Sequence, residues 1–81
     1  MKNNYIASYA LEHGIDSRSE WKRLINHKKI DGVVVRNSHT PYMHHSGIEI
    51  TANTKEAAKC VIAVLRGYGI NWVDINDFKK Q

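Results

Sequence analysis

The chain has 81 residues, of which 42% are hydrophobic, and twelve Lys and Arg against eight Asp and Glu give it a formal net charge of +4. This length provides for one domain, residues 1–81, and leaves no room for a second core. No stretch approaches the roughly 20 apolar residues of a membrane span, and the N-terminus lacks the apolar core of a signal peptide. We therefore expect a cytoplasmic protein without membrane contact.

A first helix is predicted at the N-terminus. Asn3 or Asn4 can cap it, and it would run to about His13 before Gly14 ends it. Its apolar face would comprise Tyr5, Ile6, Tyr9 and Ala10.

A second helix is predicted from about residue 18 to 29, after a three-residue turn. Ser17 with Glu20 three positions later has the pattern of a capping box. Trp21, Leu24 and Ile25 fall within one arc and should pack against the core. The outward side would carry Arg18, Lys22, Arg23, Asn26 and Lys29. The two helices together predict a helix-turn-helix unit.

A small antiparallel sheet is predicted next, with strands over residues 33–36, 42–45 and 48–51. A third helix should follow over residues 55–66, capped by Asn53 or Thr54, and then a terminal strand over 70–73 and a short helical turn near 75–80. The predicted fold class is α+β, a single winged-helix-like domain.

The residues that often carry enzyme or metal chemistry do not form a recognisable motif. Cys60 is the only cysteine, and its apolar neighbours predict a buried structural thiol. His39, His44 and His45 lie close together, but no cysteine pair accompanies them and adjacent strand residues point to opposite faces. We expect no catalytic activity, no metal and no cofactor.

A basic cluster is the most informative feature of the sequence. Residues 18–36 hold six of the twelve cations and only two acids. A basic helix after a short turn is how a recognition helix is presented to nucleic acid, and hydroxyls at its start can meet a phosphate. The alternative is an ordinary solvated helix face. The predicted nucleic-acid-binding residues are Ser17, Arg18, Ser19, Lys22, Arg23, Asn26, Lys29, Arg36 and His39.

Over residues 5–37 the sequence resembles winged helix-turn-helix proteins of the excisionase and prophage-regulator type. The residues that fill the family pattern are Ala10, Gly14, Ile15, Ser17, Arg18, Ser19, Arg23, Leu24, Ile25, Ile30, Gly32 and Val33. It departs from that pattern at Asp16, which is one inserted residue, and at Asp31, which replaces a proline. The resemblance implies duplex-DNA binding by a transcriptional regulator or recombination accessory factor from a phage or other mobile element. A homodimer would be compatible with it.

The same stretch is similar to an RNA-binding module of the small-ribosomal-subunit type. Trp21 departs from that pattern, because a small residue is normal there. The matching positions are Ser17, Arg18, Leu24, Ile25, His27 and Ile30. This resemblance implies structured RNA as the second choice of ligand.

Two further interpretations remain open. A small α+β chain without an active site can also act as a protein-binding inhibitor, with Tyr42, Tyr68 or Trp72 as exposed anchors. On the third helix, Lys55, Lys59 and Arg66 share one side, opposite the apolar face, and form either solvated surface or a second phosphate-contacting ridge.

Overall fold

In the described residues, two helices lie on one face of a four-stranded antiparallel sheet. The computed structural model describes residues 4–11, 15–38 and 46–80, and for residues 15–18 and 46 the backbone alone. The elements in chain order are β1 (Tyr5–Leu11), α1 (Ile15–His27), β2 (Val33–Ser38), β3 (Ser46–Ala52), α2 (Lys55–Gly67), a 3₁₀ turn (Ile75–Asp77) and β4 (Lys79–Lys80). The α+β class is therefore confirmed.

The strands lie in the sheet order β2-β3-β1-β4. β1 pairs antiparallel with β3 on one side and with β4 on the other, and β2 pairs with β3. A β-α-β-β-α-β chain with this order has the ferredoxin-like, split β-α-β arrangement.

The predicted first helix is wrong, because residues 5–11 form the central strand β1. Ala7, Tyr9 and Leu11 are buried while Ser8 and Ala10 are exposed, which is the period of two expected of a strand. Pairing on both edges outweighs the weak preference of alanine for strands. Only two α-helices occur in the described residues, and no helix precedes α1 there.

The helix α1 begins at Ile15, so Ser17 lies inside it and not at the predicted cap position. Only three residues connect the end of β1 to Ile15, and the helix starts directly after this short connection. Gly14, the predicted stop between the first two elements, lies outside the described residues.

The helix α2 agrees with the prediction over nearly its whole length. The Thr54 hydroxyl caps it by accepting a hydrogen bond from the backbone N–H of Ala57 at 3.0 Å. At the other end Gly69 has φ +91°, a conformation that glycine adopts without steric cost. The face that packs on the sheet consists of Ala57, Ala58, Val61, Ile62 and Leu65.

The chain after α2 differs from the prediction in where its strand lies. Residues 70–73 are not a strand, although Val73 is fully buried. The short helical turn is confirmed at Ile75–Asp77, and the last strand is β4 at the edge of the sheet. The strands predicted at residues 33–36 and 48–51 are confirmed within β2 and β3, and the one at 42–45 lies outside the described residues.

The core lies between the helices and the inner face of the sheet. Its largest fully buried side chains are Ile25, Ile48, Ile50, Val61, Leu65 and Val73. Cys60 is exposed, so the predicted buried thiol is wrong. At about 100° per residue it falls outside the arc that the core-facing residues of α2 occupy.

Candidate nucleic-acid interface

The helix α1 is amphipathic in the way the sequence predicts. Trp21 and Ile25 are buried, with 5% and 1% of their surfaces exposed, and Leu24 is half-buried. Packing of this side against the core turns the other side outward. Arg23 and Asn26 are exposed there, and the residues Ser19, Lys28 and Lys29 are exposed as well.

Four cations lie along the C-terminal part of α1 and the turn that follows it: Lys22, Arg23, Lys28 and Lys29, here called the α1 basic segment. Arg23 makes an ion pair with Glu20, in which its guanidinium donates to both carboxylate oxygens at 3.0 Å. The other three cations make no ion pair with any residue that the structure describes. The segment therefore carries net positive charge toward solvent.

The ion pair between Arg23 and Glu20 is weak because it faces water. The exposed fractions of the two side chains are 73% and 53%. Exposed pairs of this kind contribute about 0–1 kcal/mol to stability. A phosphate could therefore displace Glu20 from Arg23 at little cost in folding free energy.

The end of α1 gives two of these lysines a structural role as well. The backbone N–H groups of Lys28 and Lys29 donate to the carbonyls of Ile25 and Asn26 at 3.2 and 3.1 Å. Lys29 has φ +49°, the left-handed conformation that commonly ends a helix. Cations at this end also favour the helix dipole. The helix end thus holds both side chains at the surface.

Arg36 does not share a surface with the α1 basic segment. It projects from β2 on the sheet face opposite the helices, and in the strand register it lies directly across from Glu49. An opposite charge at that position partly balances the Arg36 guanidinium. The structure thus separates Arg36 from the α1 cations with which the sequence grouped it.

Some predicted residues lie outside the described part of the chain. The side chains of Ser17 and Arg18 are among them, as is His39 together with Tyr42, His44 and His45. Within the described residues, no three side chains of His, Cys, Asp or Glu come together as a metal site would require.

One of the three cations of the ridge predicted on α2 makes contacts within the chain. The Arg66 guanidinium donates to the backbone carbonyl of Val73 at 2.9 and 3.2 Å, and it lies 3.6 Å from a carboxylate oxygen of Asp74. This arginine therefore fastens the chain after α2 to the helix. Lys55 and Lys59 remain exposed.

A group of three aromatic rings was not predicted from the sequence. The ring centroids of Tyr9, Trp21 and Trp72 lie 5.3 to 5.5 Å apart in all three pairs. Two of the rings are buried, but 60% of Trp72 is exposed. The three come from β1, α1 and the chain after α2, so only the fold brings them together. The exposure of Trp72 and of Tyr68 agrees with the sequence-based expectation.

A hydrogen bond between Tyr9 and Asp77 fixes one ring of this aromatic group. The Tyr9 hydroxyl donates to the Asp77 carboxylate at 2.8 Å, and the same oxygen accepts the backbone N–H of Asp74 at 2.9 Å. Burial raises the pKa of the Tyr9 hydroxyl far above its usual range, and the bond to Asp77 raises it further. Tyr9 is therefore a neutral hydrogen-bond donor at physiological pH.

Comparison of the sequence with protein families and characterised proteins, and of the fold with solved structures, found no match. Neither helix of the described residues is long and apolar enough to cross a membrane.

Proposed function

We propose that the chain is a non-enzymatic nucleic-acid-binding protein that contacts phosphates through the α1 basic segment, and that duplex DNA is its preferred ligand. The observation that carries the proposal is the exposure of Arg23, Lys28 and Lys29, beside the half-buried Lys22, at the end of α1 and in the turn that follows it. Glu20 is their one ion-pair partner among the described residues. Cations on an exposed helix provide the sequence-independent part of affinity for nucleic acids.

The dimensions of the segment suit a phosphate backbone. At about 1.5 Å per residue, Lys22 and the helix end at His27 are separated by roughly 7–8 Å along the helix axis, and Lys28 and Lys29 follow directly in the turn. Duplex DNA presents one negative charge per about 1.7 Å of its axis, so several phosphates lie within reach at once. Asn26, which lies between the cations, is exposed and can donate to a base edge or to a phosphate oxygen.

The open face of the sheet is poorly suited to nucleic acid. Sheets that bind single-stranded RNA stack bases on aromatic side chains of their central strands. In β1 and β3 the outward positions are instead occupied by Ile6, Ser8, Ala10, Gly47, Glu49 and Thr51. These residues offer no stacking surface, which favours the helix side.

The proposal covers binding alone. A role as transcriptional regulator or recombination accessory factor depends on the winged-helix resemblance, and the first helix of that pattern is the strand β1 in this chain. That role, and an origin in a phage or mobile element, remain predictions. Structured RNA remains the alternative ligand.

The test measures how binding to a labelled duplex depends on salt, by fluorescence anisotropy. Four phosphate contacts predict a slope of about −3 to −4 for log affinity against log salt. The variant Lys28→Gln/Lys29→Gln should flatten this slope by about two. A structured RNA hairpin in the same assay separates the two ligand classes.

The control is Lys59→Glu, which removes the same two units of net charge at an exposed position of α2. It should leave the slope unchanged, because a cation that touches no phosphate releases no counterion. Equal effects of the two variants would contradict the assignment to α1. Absence of binding to both DNA and RNA at low salt would overturn the proposal.

A second candidate function is protein binding through Trp72. Its ring is 60% exposed while its neighbour Val73 is fully buried and fastened by Arg66. An aromatic side chain held in this way loses little entropy when a partner covers it, which is typical of interface anchors. Loss of a partner on Trp72→Ala, with unchanged nucleic-acid affinity, would favour this function.

A further inference from the structure

A small pocket lies at the edge of the sheet, where β4 pairs with the beginning of β1. Its volume is about 260 Å³. The residues that line it come from β1, the start of α2, the 3₁₀ turn and β4, and they are Tyr5, Lys55, Ile75, Asn76, Phe78, Lys79 and Lys80. No residue of α1 takes part, so the pocket is separate from the α1 basic segment.

The lining of this pocket carries three positive charges and no negative one. Lys55, Lys79 and Lys80 are all exposed, and none makes an ion pair with a described residue. In the pairing of β4 with β1, Lys80 lies across from Tyr5 and Lys79 across from Ile6, so the side chain of Lys80 points to the Tyr5 side of the sheet and that of Lys79 to the other side. The ammonium groups of Lys55 and Lys80 repel one another, and an anion between them would relieve that repulsion. The charge pattern therefore selects an anionic ligand.

The remainder of the lining selects among anions. Phe78 is buried, and Tyr5 and Ile75 are half-buried, so the wall beneath the lysines combines apolar and polar surface. The Asn76 side chain adds both a donor and an acceptor. A volume of about 260 Å³ is below the roughly 300–1,000 Å³ of pockets for drug-sized ligands, and it suits a phosphate group with the sugar attached to it.

We propose that this pocket binds phosphate monoesters, with Lys55 and Lys80 holding the phosphate dianion and Tyr5 contacting the attached group. Lysine binds phosphate as a point charge on a flexible stem, so these two exposed lysines can converge on one dianion. This site goes beyond the proposed function and does not rest on it. The phosphate can belong to a free mononucleotide or to the 5′ end of a nucleic acid strand.

The test is a titration of the full chain followed by amide chemical shifts in two-dimensional NMR spectra. The probes are inorganic phosphate and adenosine 5′-monophosphate, with adenosine and potassium chloride at matched ionic strength as controls. We expect both phosphates to shift the amides of Lys55, Phe78, Lys79 and Lys80, and both controls to leave them unchanged. Single-stranded oligonucleotides with a 5′-phosphate or a 5′-hydroxyl then distinguish the two sources of the phosphate.

Two variants of equal charge make the assignment specific. Lys55→Gln/Lys80→Gln should weaken adenosine 5′-monophosphate binding by about tenfold or more, since two charge-assisted contacts are lost. Lys28→Gln/Lys29→Gln should not change it. Should the double glutamine variant at 55 and 80 lose its fold, Lys80→Gln alone provides the same test.

Equal weakening by the two double variants, or equal shifts with chloride, would overturn the proposal. So would absence of any shift in wild type. In that case the lysines of β4 would serve only to keep the sheet edge from pairing with other chains, as lysines on edge strands commonly do. That role predicts oligomers of Lys79→Val/Lys80→Val by light scattering.

Discussion

Tyr9 is the residue at which burial, hydrogen bonding and aromatic packing meet. Its hydroxyl donates to Asp77 at 2.8 Å, and its ring lies 5.3 Å from that of Trp21 and 5.5 Å from that of Trp72. The bond ties β1 to the 3₁₀ turn across 68 positions of sequence. Loss of this hydrogen bond should lower the free energy of unfolding and leave the α1 surface intact.

For Tyr9→Phe we expect the free energy of unfolding at pH 7 to fall by about 1–2 kcal/mol, because a hydrogen bond to a charged group is lost. Since the folded pKa is raised above the unfolded value of about 10, the unfolded chain releases this proton first. Wild type therefore loses up to about 1.4 kcal/mol per pH unit above pH 10 through this group. Tyr9→Phe has no hydroxyl to ionise, so its free energy of unfolding does not fall through this group.

Urea unfolding of both proteins at pH 7, 9.5 and 10.5 measures this difference. The stability gap between wild type and Tyr9→Phe should stay constant up to about pH 10 and narrow above it. A gap that stays constant to pH 10.5 would contradict a raised pKa at Tyr9.

Lys29 is a second informative residue because its backbone is strained. A left-handed conformation at φ +49° costs a residue with a Cβ atom about 1–2 kcal/mol, part of which glycine recovers. We predict that Lys29→Gly raises the free energy of unfolding by about 0.5–1 kcal/mol and weakens DNA binding.

The matched control is Lys28→Gly, at a position without positive φ. It removes the same charge but should lower stability, since glycine adds only backbone freedom there. Urea unfolding and anisotropy on both variants give the two readouts. A Lys29→Gly protein less stable than wild type would show that the turn after α1 is not strained.

At the scale of elements, the aromatic group joins β1, α1 and the chain after α2. Trp21→Ala should lower the free energy of unfolding by about 3–5 kcal/mol, the usual loss for a buried large aromatic residue. Trp72→Ala should lower it by only about 0.5–1.5 kcal/mol, because its ring is mostly exposed and contributes mainly aromatic contacts. Urea unfolding of both variants checks the contrast. Equal losses of unfolding free energy in the two variants would mean that Trp72 is a core residue and not an exposed side chain available to a partner.

The elements also differ in how far the sequence predicts them. The helix α2 has a continuous apolar arc, a capping threonine and a glycine at its end, and these local signals agree with one another. In β1 the signals conflict, because Tyr5, Ile6, Tyr9 and Ala10 fit a helical face while Ala7, Tyr9 and Leu11 fit a strand. Only pairing with β3 and β4 decides between them, and partners distant in sequence cannot be read from a local pattern.

The candidate site, like the fold, is predictable from the sequence only where local signals determine it. The outward side of α1 follows from the spacing of Trp21 and Ile25, and the structure places Arg23 and Asn26 there, with Lys29 exposed in the turn after the helix. The separation of Arg36 depends on which sheet face the helices cover, and the Lys55, Lys79 and Lys80 pocket depends on the pairing of β4 with β1. Both are properties of the tertiary fold.

At the scale of the whole molecule, the sheet separates two chemically different sides. The helix layer carries the α1 basic segment. The opposite face carries Ile6 and Val34 among small and polar side chains, with Arg36 across from Glu49. A negatively charged polymer should therefore dock on the helix layer, because long-range charge steers the encounter and the local cations hold the contact.

The most direct test of this central claim is an NMR map of the chain on addition of a short DNA duplex at low salt. We expect the largest amide shift changes within residues 22–29, with little change along β1 and β3. Raising the salt concentration should reduce these shift changes in parallel with the loss of affinity. Changes centred on the outer sheet face or on Trp72, with residues 22–29 unaffected, would contradict it.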